Sequence, residues 1–330
     1  MRIDTSSTSL DISRPPTSGW RQQLGSVLLG RWSPGRRSEI LTDDTPRAPR
    51  SNWPVARSLL HSPGAVLGLS VLLFVVLMAL SANVWYPGDP LDMVGQPLLE
   101  PFQEWEFPLG TDALGRDLAA GIVHGARVSL LVGVTAALVS VVVGTLVGAL
   151  AGFFGGRVDR VLTWLIEIFQ TTPSFLLVVV VVSITQSTVG IIAIVIGLTS
   201  WDTVARLVRA EFRALLGADF VLAARTVGYS TPWIILREVL PNALPPIIIT
   251  ASVIVASAIL TESSLSFLGV GDPNNISWGS MIGSGRDMLR SALYLTAIPG
   301  LALVVTVFSL NLVGDALIRA LNPRLRGRTV

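Results

Sequence analysis

The 330-residue sequence contains no cysteine, no lysine and only two histidines, His61 and His124. The absence of cysteine excludes disulfides and thiolate metal ligands, and two lone histidines do not supply an imidazole metal cluster, so we predict no metal site. All 24 basic residues are arginine, which leaves out the lysine that a Walker A phosphate loop requires. If ATP drives this protein, another chain binds and hydrolyses the nucleotide and its Mg²⁺, and this chain holds no cofactor.

Charged residues are also scarce. They make up 14% of the chain, against 51% hydrophobic residues and a mean hydropathy of +0.63. A soluble domain of this length is far more polar, so the composition indicates an integral membrane protein. The arginines lie between apolar segments without interleaved aromatic stacking positions, which argues against nucleic acid as a partner.

Long segments without a formal charge predict the membrane spans, because a bilayer core about 30 Å thick needs roughly 20 apolar residues as a helix. The segment 168–201, joined to the apolar run before it, is long enough for two passes. We therefore predict an all-α protein with six transmembrane helices. They lie near 64–86, 128–153, 161–185, 189–208, 240–268 and 293–318.

The arginine distribution predicts the orientation of these spans. Cytoplasmic loops are enriched in positive charge, and with both termini cytoplasmic only Arg116, Arg127, Arg286 and Arg290 fall outside. The N-terminal segment is rich in Ser, Thr, Pro and Arg, which is typical of a disordered tail and not of a signal peptide. The predicted organisation is a cytoplasmic tail over 1–60, an anchor helix over 61–90, an external loop with a short helix over 91–127, a five-helix core over 128–320 and a cytoplasmic tail over 321–330.

A charged, turn-punctuated loop over 206–242 interrupts the core on the predicted cytoplasmic side. Gly217 is a candidate left-handed C-cap of a first helix that begins near Ala205, and Asp219 is a candidate N-cap of a second helix over 220–227. Gly228 ends the second helix. Ser230 or Thr231, with Pro232 in the first turn, begins a third helix that runs toward Pro241.

The second of these helices carries an apolar stripe at Phe220, Ala223, Ala224 and Val227, which fall on one helical face. A helix of two turns is marginal alone. It packs either on its own bundle or into a groove on a partner, and the pattern leaves both interpretations open.

The segment LAARTVGYSTPWIILREVLPN at 222–242 resembles the coupling loop of binding-protein-dependent ABC importers. That motif reads Glu-Ala-Ala, three residues, Gly, nine residues, Ile, one residue, Leu-Pro. The matching residues are Ala223, Ala224, Gly228, Leu240 and Pro241. Leu222 stands at the position of the motif's Glu and Glu238 at that of its Ile.

Further segments resemble the C-type permease subunits of the dipeptide, oligopeptide and nickel importers. They are PLGTDALGRDLAAGIVHGARVSLLVG at 108–133, FFGGRVDRVLTW at 153–164, TESSLSFLGVG at 261–271, SWGSMIGSGR at 277–286 and NLVGDALIRALNPRLR at 311–326. The resemblance extends over about residues 53–328.

This resemblance implies a type I importer fold in the bacterial inner membrane. It implies a non-catalytic permease that pairs with a homologous B-type permease, binds two cytoplasmic ATPase subunits and receives peptides from an extracytoplasmic binding protein. Nickel, glutathione and opines are alternative substrates for the same architecture. The implied coupling residues are Phe220, Ala223, Ala224, Val227, Gly228, Leu240 and Pro241.

Four acidic residues fall in or at the edges of the spans, where a bare charge is unfavourable. Asp202 and Asp315 lie four residues before Arg206 and Arg319, a spacing that favours ion pairs. Glu262 and Glu167 fit interhelical hydrogen bonds, or an ion relay if the protein is instead an ion-coupled secondary transporter. A membrane hydrolase is disfavoured, because the sequence brings together no histidine, serine and acid.

Three other features bear on packing. Asp112, Arg116, Asp117 and Arg127 form a charged cluster that either holds the external loop together or contacts a partner protein. The spacing of Gly144, Gly148 and Gly152 predicts a close helix approach, inside the bundle or between subunits. Pro173, Pro245, Pro246 and the Pro299-Gly300 pair predict kinks.

Overall fold

The computed structural model describes residues 62–321, and within that range every regular element is helical. The predicted tails, 1–60 and all but the first residue of 321–330, lie outside the described residues. The α-helices in chain order are α1 Pro63–Leu80, α2 Ala82–Trp85, α3 Leu118–Phe154, α4 Gly156–Thr171, α5 Ser174–Ile184, α6 Val189–Leu216, α7 Asp219–Val227, α8 Thr231–Trp233, α9 Leu240–Phe267, α10 Trp278–Gly285 and α11 Tyr294–Leu321. A π-helix, Ile234–Val239, joins α8 to α9, and a 3₁₀ turn, Arg286–Met288, follows α10.

Within residues 62–321, five helical segments are long and apolar enough to cross a membrane: α1, α3, α6, α11 and the run Thr231–Phe267. The bent pair α4 and α5 makes a sixth when the two are counted as one span. The predicted all-α membrane architecture is thereby confirmed. Helices α3 and α6 pack along each other, α9 packs against both, and α1 packs against α11.

Helix α3 begins ten residues before the predicted start at 128. Asp117 is its N-cap, and the Asp117 carboxylate accepts a hydrogen bond of 2.8 Å from the Ala119 backbone N–H. Arg127 therefore lies inside the helix and does not mark its boundary. A window free of charge locates the apolar part of a span, whereas the cap determines where the helix begins.

The predicted span over 161–185 consists of two helices in the structure. Helices α4 and α5 meet at 83° across Thr172 and Pro173. Both residues have extended backbone, with ψ of 129° at Thr172 and 103° at Pro173. Proline disfavours helical geometry in the residue before it, so the predicted kink at Pro173 is confirmed as a full break.

The glycine strip of α3 packs inside the chain against α6. A Cβ on Gly144 would lie 2.5 Å from the Val204 Cβ, and one on Gly148 would lie 2.4 Å from the Ala205 carbonyl oxygen. A Cβ on Gly152 would lie 2.7 Å from the Phe212 Cβ. The strip therefore lets two helix backbones approach closely, as small residues do at helix contacts in membranes.

Candidate functional site

The loop over 206–242 contains one separate helix instead of the three predicted. Its first predicted helix is the end of α6, which runs unbroken from Val189 to Leu216. Gly217 follows with φ of −89°, so the predicted left-handed cap is absent there. The third predicted helix is also part of a longer one, because Thr231–Trp233, the π-helix and α9 form one helical run to Phe267.

Helix α7 occupies the middle of the loop. Ala218 is its N-cap and Asp219 its first residue, so the prediction of Asp219 as the N-cap is wrong; its carboxylate instead lies in the first turn, where the helix dipole favours negative charge. Gly228 ends α7 with φ of +91°, as predicted, and its N–H donates to the Ala224 and Arg225 carbonyls.

Helix α7 has one face on its own chain and another that is open. Val221 and Ala224 are buried in an apolar cluster that includes Phe212 of α6 together with Ile234 and Val239 of the π-helix. The predicted stripe is thus divided, because Ala224 faces the bundle.

The open part of α7 carries four apolar or small side chains beside the exposed polar residues Asp219, Arg225 and Thr226. Phe220 is 39% exposed, Leu222 is 48% exposed and Val227 is 73% exposed. Ala223 is exposed between them. The structure therefore leaves four apolar or small side chains uncovered on a short helix whose Val221 and Ala224 are anchored, and we name these four residues the α7 surface.

The chain after α7 stabilises this arrangement. The rings of Tyr229 and Trp233 stack with centroids 3.8 Å apart, directly beyond the turn at Gly228. Leu240 packs on the apolar cluster, whereas Pro241 is exposed in the first turn of α9. Within 62–321 no ion pair reaches Glu238.

An ion cluster near the start of α4 was not predicted from the sequence. The Arg209 Nε lies 2.5 Å from the Asp159 carboxylate, and the Arg213 guanidinium contacts its other oxygen. Asp159 is buried. The signal in the sequence was the spacing of Arg209 and Arg213, which places both on one face of α6. The cluster fixes the start of α4 against the same helix that supports α7.

The predicted external cluster is only partly assembled. Asp112 accepts hydrogen bonds from the backbone N–H groups of Leu114 and Arg116, and Asp117 follows as the α3 cap. The pKa of the Asp117 carboxyl lies above its usual value because the group is partly buried. Hydrogen bonds from backbone N–H groups at the start of α3 offset part of this rise.

Asp112, Arg116 and Asp117 line a cavity of about 390 Å³ together with Asp272 and Ser280. Arg127 instead lines a second cavity beside His124 and Asp89. The structure therefore brings three of the four predicted residues together.

The predicted ion pairs of Asp202 with Arg206 and of Asp315 with Arg319 are not formed. In the described part of the chain the ion pairs are those of Asp159 and one between Arg286 and Asp287. Asp315 and Arg319 are both exposed, where a pair gains little over hydration by water.

The two glutamates in the spans have different surroundings. Glu262 is buried and accepts hydrogen bonds from the hydroxyls of Ser266, at 2.7 Å, and Ser263, at 3.4 Å. Ser277, the N-cap of α10, lies beside the same carboxyl group. Glu167 is exposed. Hydroxyl groups, mainly of its own helix, therefore hold Glu262.

With this geometry established, comparison with known proteins identifies the family. Residues 144–327, more than half of the chain, match the model of the family described as binding-protein-dependent transport system inner membrane component. The chain belongs to this family. It is therefore the membrane-embedded subunit of a transport system in the inner membrane.

Curated relatives of this inner membrane component extend the similarity beyond the matched region. The chain is 38% identical over 277 residues to the di/tripeptide transport system permease protein DppC of Pseudomonas aeruginosa, covering 82% of this chain and 91% of the relative. It is 39% identical over 283 residues to the oligopeptide transport system permease protein OppC of Escherichia coli, covering 84% and 93%.

A solved structure shares the fold. A chain of the methionine ABC transporter MetNI, in an inward-facing conformation, superposes with a TM-score of 0.50 and 19% identity. The superposition covers 61% of this inner membrane component and 96% of that chain. The shared part is the importer permease fold that the sequence motifs predicted.

Proposed function

We propose that this chain is the transmembrane permease subunit of an ABC importer for di- or oligopeptides, and that α7 couples it to a separate ATPase subunit. The observation that carries the proposal is the α7 surface, the four exposed apolar or small side chains of Phe220, Leu222, Ala223 and Val227. An amphipathic helix seated in a groove of another protein is a recurrent docking mode. This role places the loop 206–242, and both termini, on the cytoplasmic side.

The anchored face of α7 explains how a movement of the ATPase reaches the membrane. Val221 and Ala224 join α7 to Phe212 of α6 and to Val239 before α9, and both α6 and α9 belong to candidate spans. Tightly packed interiors transmit displacements instead of absorbing them. A shift of α7 with its ATPase therefore tilts α6 and α9 together.

The remaining components follow from this role. ATP and Mg²⁺ bind to two partner ATPases, since this chain has no lysine for a Walker A loop. A homologous B-type permease completes the pathway across the lipid bilayer, and an extracytoplasmic binding protein delivers the substrate. Nucleic acid has no part in the function.

Peptides are the favoured substrate class, because the relatives compared above are named as di/tripeptide and oligopeptide permeases. Nickel, glutathione and opines fit the same architecture without a comparable observation in their favour. The ligand that co-purifies with the cognate binding protein, identified by mass spectrometry, separates these alternatives.

Co-purification tests the assembly. An affinity-tagged version of the full chain, extracted in mild detergent from its own host, is expected to bring with it two ATPase chains and one second permease for each tagged chain. Subunit masses and ratios from native mass spectrometry provide the measurement. A solitary chain under conditions that preserve other ABC importers would contradict the proposal.

A further inference from the structure

A polar groove of about 480 Å³ lies beside the break between α4 and α5. Gln170 and Thr172 line it at the break, Thr199, Asp202 and Arg206 line it from α6, and Ser257 lines it from α9. We name this groove, defined by these six residues, the break cavity. The role of these residues was not apparent from the sequence, because they come from three separate segments.

The position of the break cavity is unusual for a membrane protein. All three contributing segments belong to candidate spans, where polar side chains are normally scarce. Interrupted helices at membrane depth are tolerated where they are buried in protein or line a water-filled cavity. The break at Thr172 and Pro173 therefore has the surroundings expected of a pathway.

Asp202 is the distinctive group in the cavity. It lies midway along the 28-residue α6 and is 9% exposed, yet within 62–321 its carboxylate has no hydrogen bond or ion pair. Arg206, one turn further along, is exposed and likewise has no ion-pair partner in that range. The carboxylate oxygens of Asp202 are open to the cavity that this residue lines. A charged side chain without a protein partner inside a membrane span marks a functional site by default.

The hydroxyl groups around Asp202 add hydrogen-bond acceptors. Thr199 and Ser200 donate to the Ile196 carbonyl, and Thr250, which also lines the cavity, donates to the Pro246 carbonyl. Their protons are thereby used within their own helices, so their oxygen atoms remain as acceptors toward the cavity. A carboxylate surrounded by acceptors fits a ligand rich in N–H donors, such as an ammonium group.

We propose that the break cavity is a segment of the substrate path and that Asp202 binds the ammonium group of the passing peptide. Arg206, four residues or about 6 Å further along α6, meets a carboxylate of the same molecule. An extended dipeptide spans at most roughly 7 Å, which is of the same order as that rise along the helix. This inference rests on the proposed importer function and assigns its substrate-contacting residues.

The absence of cysteine gives this proposal a direct test. In the purified complex of this chain with its permease and ATPase partners, Ser200→Cys makes the introduced thiol the only one on this chain. Its modification by a cationic and by an anionic methanethiosulfonate reagent of similar size is followed by mass spectrometry of this chain. We expect both reagents to react, because a cavity on the substrate path is open to water.

The two charges in the cavity should act on these rates in opposite directions. Adding Asp202→Asn is expected to lower the ratio of cationic to anionic rates about tenfold, since fields in clefts change local ion concentrations by that order. Adding Arg206→Gln is expected to raise the same ratio. If one of the two variants fails to assemble, the other still tests the predicted direction of change in this rate ratio.

Ser291→Cys is the matched control. Ser291 is exposed in the turn before α11 and does not line the break cavity, so neither substitution should change its rate ratio. A final arm adds ATP and peptide-loaded binding protein, which should slow modification of the Ser200→Cys thiol severalfold while leaving the control unchanged.

Each outcome either supports or overturns the assignment. An unreactive Ser200→Cys thiol, or a rate ratio indifferent to both charge changes, overturns the cavity proposal even in a complex that imports peptides. If the rate ratio shifts as expected but the loaded binding protein does not slow modification of the thiol, the groove is filled with water and is not on the substrate path, which overturns the assignment. A complex that assembles no ATPase overturns the proposed function instead, which the co-purification experiment detects separately.

Discussion

Ala223→Arg is expected to abolish association with the ATPase subunits and uptake while the chain still inserts and folds. Ala223 is exposed at the centre of the α7 surface and makes no part of the buried cluster beneath it. A long charged side chain there prevents close packing in a groove, and a charge buried without a partner at an interface costs about 2–5 kcal/mol. ATPase content after affinity purification measures the loss.

Ala214→Arg is the matched control for this prediction. Ala214 is also exposed and lies in the last turn of α6, before the loop turns into α7. The control complex should retain its ATPases. Normal ATPase content and uptake in Ala223→Arg would contradict the assignment of α7 as the coupling helix.

The corresponding change at Ala224 is less informative. Ala224 is buried against its own chain, so a bulky residue there disrupts the support of α7 before it affects a partner. Of the two central alanines in the predicted apolar stripe, only the structure shows which one faces outward.

Gly148→Ala is expected to destabilise the permease by about 1–3 kcal/mol. The added Cβ would lie 2.4 Å from the Ala205 carbonyl oxygen and 2.8 Å from the Val208 Cβ. The obstacle includes backbone, which no rotamer change relieves, so α3 and α6 must separate; overpacking of this kind costs typically 1–3 kcal/mol and sometimes more. The thermal midpoint of the detergent-purified chain should fall clearly.

Gly300→Ala provides the comparison. Gly300 lies inside α11 and its Cβ would meet nothing within 4 Å. Alanine is favoured over glycine in a helix interior by about 1 kcal/mol, so this variant should match or exceed the wild type in thermal midpoint. Equal midpoints for the two glycine variants would contradict the packing role of the strip.

Much of the fold is predictable from the sequence because few physical rules decide it. Segments free of charge locate the spans, since charge is costly in lipid, and Pro173 correctly indicates an irregularity in the third span. Gly228 indicates the end of α7 because its backbone needs a positive φ, which favours glycine.

Local caps were harder to assign. Glycine and aspartate are both common at helix ends. Yet the backbone of Gly217 is in the right-handed region, and Ala218 instead of Asp219 is the N-cap. Several residues of this short segment satisfy the same preference, and packing of Val221 on the bundle decides among them. The predicted ion pairs of Asp202 with Arg206 and of Asp315 with Arg319 are not formed for a similar reason, because a four-residue spacing permits a contact without requiring it.

The contacts that join distant segments were not predictable. Asp159 and Arg209 are 50 residues apart, and the break cavity collects residues from three helices. Neither has a local pattern. Their assembly depends on how α4, α6 and α9 pack, which follows from side-chain shape along whole helices.

Uptake in reconstituted vesicles tests the central claim most directly. The complete complex is placed in liposomes with ATP on the ATPase side and peptide-loaded binding protein on the opposite side. We expect accumulation of labelled peptide that needs ATP, the binding protein and the ATPase subunits together, and that persists after an ionophore removes ion gradients. Accumulation by this chain alone, driven by an ion gradient without ATP, would contradict the account.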